Sequence, residues 1–351
     1  MAKINPAFSK KIEEYGGFDI NACYNCGNCT AVCSLSTEDN SFPREMVRYS
    51  VLGLEDDIEG SLKPWLCYYC GECSELCPQT ANPGELMMSL RRWLTSKYDW
   101  TGLSGLLYSS RPALIIAFIL VGIAIIAVGF ANQFNTESIM HFGHLFEQIA
   151  IASVFTLIIL PNIIRMFWKT ILKQKIKVPI PSYIKGVSDL IVHMFTQKNA
   201  LECDNNRFRW FAHLLVVCGY LLLLITTVFL GWFSTDNPFI IWLGYIVGGM
   251  TFIFTFVFII MRINKSKEIT KFSHSSDWLF VIWLFLMAFT AFIVRVLVDT
   301  DLIDSNLWLY MVHLIVIAQW ALIIVPFGKW MHFMYRSFAM CFEKLKESTS
   351  K

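Results

Sequence analysis

Residues 23–33 read Cys23-Tyr-Asn-Cys26-Gly-Asn-Cys29-Thr-Ala-Val-Cys33, and residues 67–78 read Cys67-Tyr-Tyr-Cys70-Gly-Glu-Cys73-Ser-Glu-Leu-Cys77-Pro78. Both runs have the spacing C-x2-C-x2-C-x3-C, so one ligand loop is written twice. Three thiolates in a tight loop can grip three corners of a single iron–sulfur cube, while a fourth leaves on a short helix toward the neighbouring cube. Gly27 and Gly71 fall between the second and third ligands, where a side chain would crowd the inorganic sulfur. Zinc also binds C-x2-C pairs, but a zinc site needs four ligands and gives no reason for a doubled run with x3 spacing. The pattern therefore predicts two [4Fe–4S] clusters.

The second run closes on Pro78 and resembles the bacterial ferredoxin run; Ser34 stands at the corresponding place in the first. That resemblance implies crosswise ligation. Cluster one would take Cys23, Cys26, Cys29 and Cys77, and cluster two Cys67, Cys70, Cys73 and Cys33. The 33 residues between Cys33 and Cys67 make a long linker with a helix expected near Pro43–Leu52. The stretch Pro83–Trp93 (PGELMMSLRRW) reads as a helix packing across the clusters. Eight of the eleven cysteines lie in these runs, and Cys203, Cys218 and Cys341 are scattered singly. Clustered cysteines without a secretory signal indicate metal ligation in a reducing compartment. The first 20 residues hold no apolar run of signal-peptide length, so this head, residues 1–105, is expected to be cytosolic.

Composition changes near Arg111. Over the whole chain of 351 residues, 55% are hydrophobic and 16% charged, with mean hydropathy +0.51. A soluble domain averages nearer a quarter charged. The net charge of +2 gives no case for nucleic-acid binding. Six apolar stretches follow, at 112–131, 144–168, 210–233, 239–261, 278–298 and 307–327, each able to cross about 30 Å of hydrocarbon. The loops 132–143, 234–238 and 299–306 contain no Lys or Arg, whereas the opposite segments are rich in both. This asymmetry places both termini in the cytosol. Between the second and third stretches, apolar residues recur at helical spacing near 180–200, which predicts a helix lying in the membrane interface.

Histidines supply the second signal. Of seven, His193 and His274 read as interfacial residues. His213 lies one turn inside the cytosolic start of the third stretch, and His332 just past the cytosolic end of the sixth. His313 and His144 share a level near the outer face, with His141 as a competing partner. Two histidines at each of two depths are what bis-histidine ligation of two b-type haems requires. No C-x-x-C-H is present, which excludes covalent haem attachment. Arg295, also embedded near the outer face, either faces a haem or quinone or pairs with Asp299 four residues on. The spans otherwise offer only Glu147, Gln148 and Gln319 as conspicuous polar groups, too few for a proton pump.

The segments RFRWFAHLLVVCGYLLLL and WLYMVHLIVIAQWALIIVPFGKWMHFMYR resemble the cytochrome b subunits of respiratory nitrate reductases (gamma subunits) and of methanogen heterodisulfide reductases. The resemblance implies haem ligation by His213 and His332 on the inner side and by His313 on the outer side. The family's fourth ligand falls at Leu223 here, leaving His144 as the substitute. The order of parts, ferredoxin head then haem bundle, resembles the C subunits of quinone-interacting membrane-bound oxidoreductase complexes. What that implies is a mainly α architecture, with a two-[4Fe–4S] head and a six-helix transmembrane cytochrome b bundle over 106–351. It further implies one or two haem b and electron exchange with menaquinol in the membrane lipid. The partners implied are soluble flavin/iron–sulfur subunits and, beyond them, adenylylsulfate (APS) reductase, in a bacterial cytoplasmic membrane. No catalytic residue is expected in this chain itself. A heterodisulfide reductase-like or sulfite-reductase-linked complex, or a haem-free anchor for a ferredoxin head, are the competing readings. The purified protein is expected to contain iron and acid-labile sulfide, matched in amount for the two clusters and with one further iron for each haem. Elemental analysis that returns zinc in place of iron would sink the cluster reading.

Overall fold

The computed structural model describes residues 4–18, 20–38, 40–176, 178–197, 207–265 and 268–348. Among these the chain is helical, with no strand beyond an isolated bridge between Thr37 and Asn40. Cys203 lies outside the described residues, as do the side chains of Lys177, His193, Arg207, Arg209 and Lys267.

The head is a stack of short helices around one long one. Helices Phe8–Glu13, Arg44–Leu52, Glu55–Glu59 and Lys63–Leu66 surround Pro83–Tyr98, which is buried along almost its whole length. The sequence expectation for 43–52 is met, and that for 83–93 extends one turn further. Proline at the first helical position suits Pro83, because its missing N–H would have no partner there. Phe8 packs edge-on against Trp93 with ring centroids 5.0 Å apart.

Among the described residues, six helices are long and apolar enough to cross a membrane. Local sequence explains where they begin. Ser110 caps the helix Arg111–Ala131, Asn135 caps Thr136–Val154 and Asn237 caps Pro238–Asn264, each side chain accepting a bond from an orphan N–H. His274 caps Ser275–Asp299 in a reciprocal box with Asp277. Burial and the nearby Arg92 push His274 down to about 4, so the cap is a neutral ring. The interfacial reading of His274 is thereby sharpened into a capping role.

The second span differs from its expected bounds. It runs from Thr136 to Leu172 and includes π-turns at Phe155–Ile159 and Trp168–Leu172. Its last turns rise beside the head. Trp100 Nε1 donates to Leu157 O at 2.8 Å, using a carbonyl in the first π-turn. Arg165 Nε donates to Tyr98 O at 3.0 Å, and Lys169 bonds Glu59. The sixth span passes through a π-turn at Trp320–Ile324 and stops at Phe327, where Gly328 is extended. The chain restarts as the amphipathic helix Met331–Glu347. The helix Ile180–Thr196 lies against that last helix, with Lys344 Nζ 2.6 Å from Asp189 Oδ2.

Head and bundle share one apolar core. Trp65 and Tyr98 of the head pack on Tyr335 of the last helix, with centroids 5.1 and 5.4 Å away. Burial of each such side chain contributes roughly 1.5–3 kcal/mol. A buried ionic clamp completes the junction. Asp277 takes Arg92 of the head on one oxygen (3.2 Å) and Lys329 on the other (2.5 Å). Replacing Asp277 with Asn leaves two buried cations without their anion, at a cost of about 3–5 kcal/mol. Limited proteolysis between residues 99 and 111 should accelerate in that variant; unchanged protection would show that the clamp does not hold the head down.

Candidate iron–sulfur loops and the transmembrane cavity

The two cysteine loops repeat in backbone as well as in sequence. Asn25 and Tyr69 both have φ of 56°, and Gly27 and Gly71 both have φ of 92°. Short helices follow at Asn28–Ala31 and Glu72–Glu75. The N–H groups of Asn25 and Tyr69 donate to Cys23 Sγ and Cys67 Sγ at 3.3 and 3.4 Å. Cys33 and Cys77 end these helices identically, each N–H bonding the carbonyl three residues back at 3.3 Å. Left-handed residues interleaved with right-handed ones turn successive amide N–H groups inward, forming a concave site for anions. Gly27 and Gly71 are thus needed for their left-handed φ, a stronger reason than the crowding argued from sequence.

Cys33, Cys67, Cys70 and Cys73 line one small cavity of about 20 Å³, together with Phe42, Pro43, Gly71 and Gly84. This is the crosswise set expected for cluster two. Gly84 opens the long head helix, and a Cβ there would come 3.7 Å from Cys73 Sγ and 3.0 Å from Ser74 Oγ. Phe42 and Gly84 escaped the sequence reading because nothing in their local pattern marks them; the linker brings them in. On the other side burial raises the Cys29 thiol, and the nearness of Cys23 and Cys26 adds to the effect. Burial pushes the Cys33 thiol up to about 11 and raises Cys67 and Cys73 as well, with sibling thiolates adding to the effect. Thiolates persist at such a site only against bound cations, so metal must displace protons there. Among the described residues, no three His, Cys, Asp or Glu side chains are placed to hold a single ion. Four thiols around a cavity fit a cube of several irons.

A second cavity, of about 320 Å³, lies between head and bundle. His213 and His332 both line it. Gln197 Oε1 accepts from His213 Nδ1 at 2.5 Å, which leaves Nε2 carrying the ring's lone pair. The walls are largely flat and apolar, from Tyr220, Phe258, Phe280, Leu284, Trp320 and Phe333. Arg91, Arg262, Lys329 and Arg336 also line it, and Cys70 with Tyr68 and Tyr69 form the side toward the head. Two imidazoles, apolar walls and a group of cations suit a haem and its two carboxylates, and the volume lies in the range of cofactor sites.

His313 and His144 stand in different surroundings. His313 is 1% exposed and its Nδ1 lies 2.8 Å from Thr290 Oγ1, with the Phe233 ring 5.5 Å away. His144 is exposed, and its Nε2 faces Gln148 Nε2 at 3.1 Å. The reason is helical phase. Gly143 is the contact residue of the second span: a Cβ there would come 2.2 Å from Tyr310 Oη. Its neighbour His144 is rotated about 100° away from that contact. His141 is exposed as well, and Leu223 is buried in the core. Arg295 follows the simpler of its two readings. It pairs with Asp299 at 2.5 Å and bonds the carbonyls of Trp232 and Thr235, clamping the loop after the third span.

Residues 22–82 match the 4Fe-4S dicluster domain family. Over 63 residues the chain is 34% identical to the C subunits of the H2:CoB-CoM heterodisulfide,ferredoxin reductases of Methanothermobacter thermautotrophicus and Methanothermobacter marburgensis. That stretch is 18% of this chain and 34% of each relative, so the likeness spans about a third of the curated relatives' length. No solved structure matches. The head is an iron–sulfur electron-transfer domain related to those proteins, and it is followed by membrane-crossing helices.

Gly71→Ala is expected to cost roughly 1–2 kcal/mol at its left-handed position and to reduce cluster content, read as absorbance near the iron–sulfur charge-transfer band. Retention of full iron content after heating alongside wild type would contradict the backbone argument.

Proposed function

We propose that this chain is the membrane subunit of a respiratory redox complex, passing electrons between menaquinol in the bilayer and cytosolic flavin/iron–sulfur subunits. The observation that carries the reading is the single cavity that has His213 and His332 on its walls and Cys70 on its head side. His213 and His332 would hold one haem b, and the two cysteine sets, Cys23, Cys26, Cys29, Cys77 and Cys67, Cys70, Cys73, Cys33, would hold two [4Fe–4S] clusters. These groups, when bound, supply one-electron carriers; the protein supplies their spacing, ligation and surroundings.

The chain's own residues have definite tasks. Gln197 orients the His213 ring. Arg262 and Arg336, which also line the cavity, would face the carboxylates of a haem held there, while Lys329 is engaged by Asp277. The shared core and the Asp277 clamp hold head and bundle at one separation, so the carriers need no hinge. The absence of Lys and Arg from three alternate loops supports a cytosolic head with both termini inside, in a bacterial cytoplasmic membrane.

Adenylylsulfate reductase as the final acceptor rests on the resemblance in the order of parts. The likeness of the head to the C subunits of heterodisulfide reductases supports a second destination, a heterodisulfide reductase-like partner. Co-purification of the native complex separates the two. Reduced-minus-oxidised spectra test the haem. His213→Ala and His332→Ala are each expected to abolish the b-type α-band, whereas His144→Ala and His313→Ala keep it. A wild-type protein without an α-band would overturn the haem reading.

A further inference from the structure

The two cysteine loops do not stand equally toward the transmembrane cavity. Cys70 and Tyr69 of the second loop line it, and among the described residues none from 23–33 does. Arg91 lies at the same junction. It is 4% exposed and sits on the Pro83–Tyr98 helix, one residue before the arginine of the ionic clamp. Its Nε donates to Pro64 O at 2.6 Å, and its Nη2 donates to Trp65 O at 3.2 Å and to Cys67 O. Its Nη1 lies 3.5 Å from His332 Nδ1 and faces the cavity.

One guanidinium therefore spans the approach to cluster ligand Cys67 and the imidazole across the cavity. A planar guanidinium can do this, and a lysine ammonium cannot bond three backbone carbonyls and also lie beside the ring. Among the described residues no carboxylate forms an ion pair with Arg91. A buried cation without a protein counter-ion is costly unless negative charge arrives with something bound. The nearest groups that would bring such charge are the second-loop thiolates and a carboxylate-bearing ligand of the cavity.

We propose that Arg91 is the positioning residue that joins the second-loop iron–sulfur site to the transmembrane site and sets the electrostatics of both, leaving the first-loop site untouched. The half that concerns the cavity rests on the haem reading above. A positive charge nearby stabilises the more negative, reduced state, so removing it lowers a reduction potential.

The experiment uses the full chain purified in detergent, with redox titrations followed by EPR for the clusters and by the α-band for the haem. In Arg91→Gln one cluster and the haem should shift downward by about tenfold in the one-electron equilibrium, about 59 mV, while the other cluster stays unmoved. Arg44→Gln is the reciprocal control, because the Arg44 guanidinium lies 3.1 Å from the Cβ position of Gly27 in the first loop; it should move the other cluster. Arg91→Lys keeps the charge and should restore most of the shift. This variant decides the matter if Arg91→Gln fails to assemble. Unmoved midpoints in Arg91→Gln, equal movement of both clusters, or a full shift in Arg91→Lys would each overturn the proposal. If the wild type has no α-band, the haem reading falls, and the cluster midpoints still judge Arg91.

Discussion

The carboxylate of Asp277 is shared by Arg92, from the long helix of the head, and Lys329, from the break after the sixth span. The rest of the architecture depends on this contact and on the apolar surface around it. Asp277 sits in the first turn of the fifth span, so one side chain ties together the head, that span's start and the sixth span's end. Asp277 and Arg92 are buried, so their ion pair acts in a low dielectric, where a lost partner is expensive. A head merely tethered by a linker would not need such a cluster.

The break at Gly328 has a direct consequence for the cavity. A continuous helix would carry residue 332 straight out of the bundle. Restarting the chain at Met331 turns the next helix along the head, and His332 comes onto the cavity wall beside Arg91. The long head helix works from the other side. Arg91 and Arg92 point in directions about 100° apart, so adjacent residues serve the cavity and the clamp. Gly84, at the same helix's start, closes on the second cysteine loop. One helix thus registers the cysteine loop, the cavity and the bundle against one another.

Local signals were legible where chemistry demands a pattern. The cysteine spacing, the six apolar runs, the helix after Pro43 and the helix Ile180–Thr196 all follow from short-range rules and lie close to where those rules put them. The second span begins eight residues earlier than hydropathy suggests, because Asn135 caps a turn whose Glu137 and His141 are polar. Depth along a helix was also readable, and it placed His144 and His313 at one level. Phase around the helix was not. Which side of the second span meets the sixth is decided by the fit of Gly143 under Tyr310, a contact between residues 167 positions apart.

The sequence alone determined the ligand loops, since that doubled spacing lets thiolates grip a cube, and the apolar runs, since a helix must be long and apolar to cross hydrocarbon. Only the tertiary structure decided which histidines share a cavity, which cysteine loop faces it, and that Arg91 stands between them. Those facts depend on packing across hundreds of residues, where the deciding quantity is the shape of two surfaces in contact, and no local pattern encodes that shape.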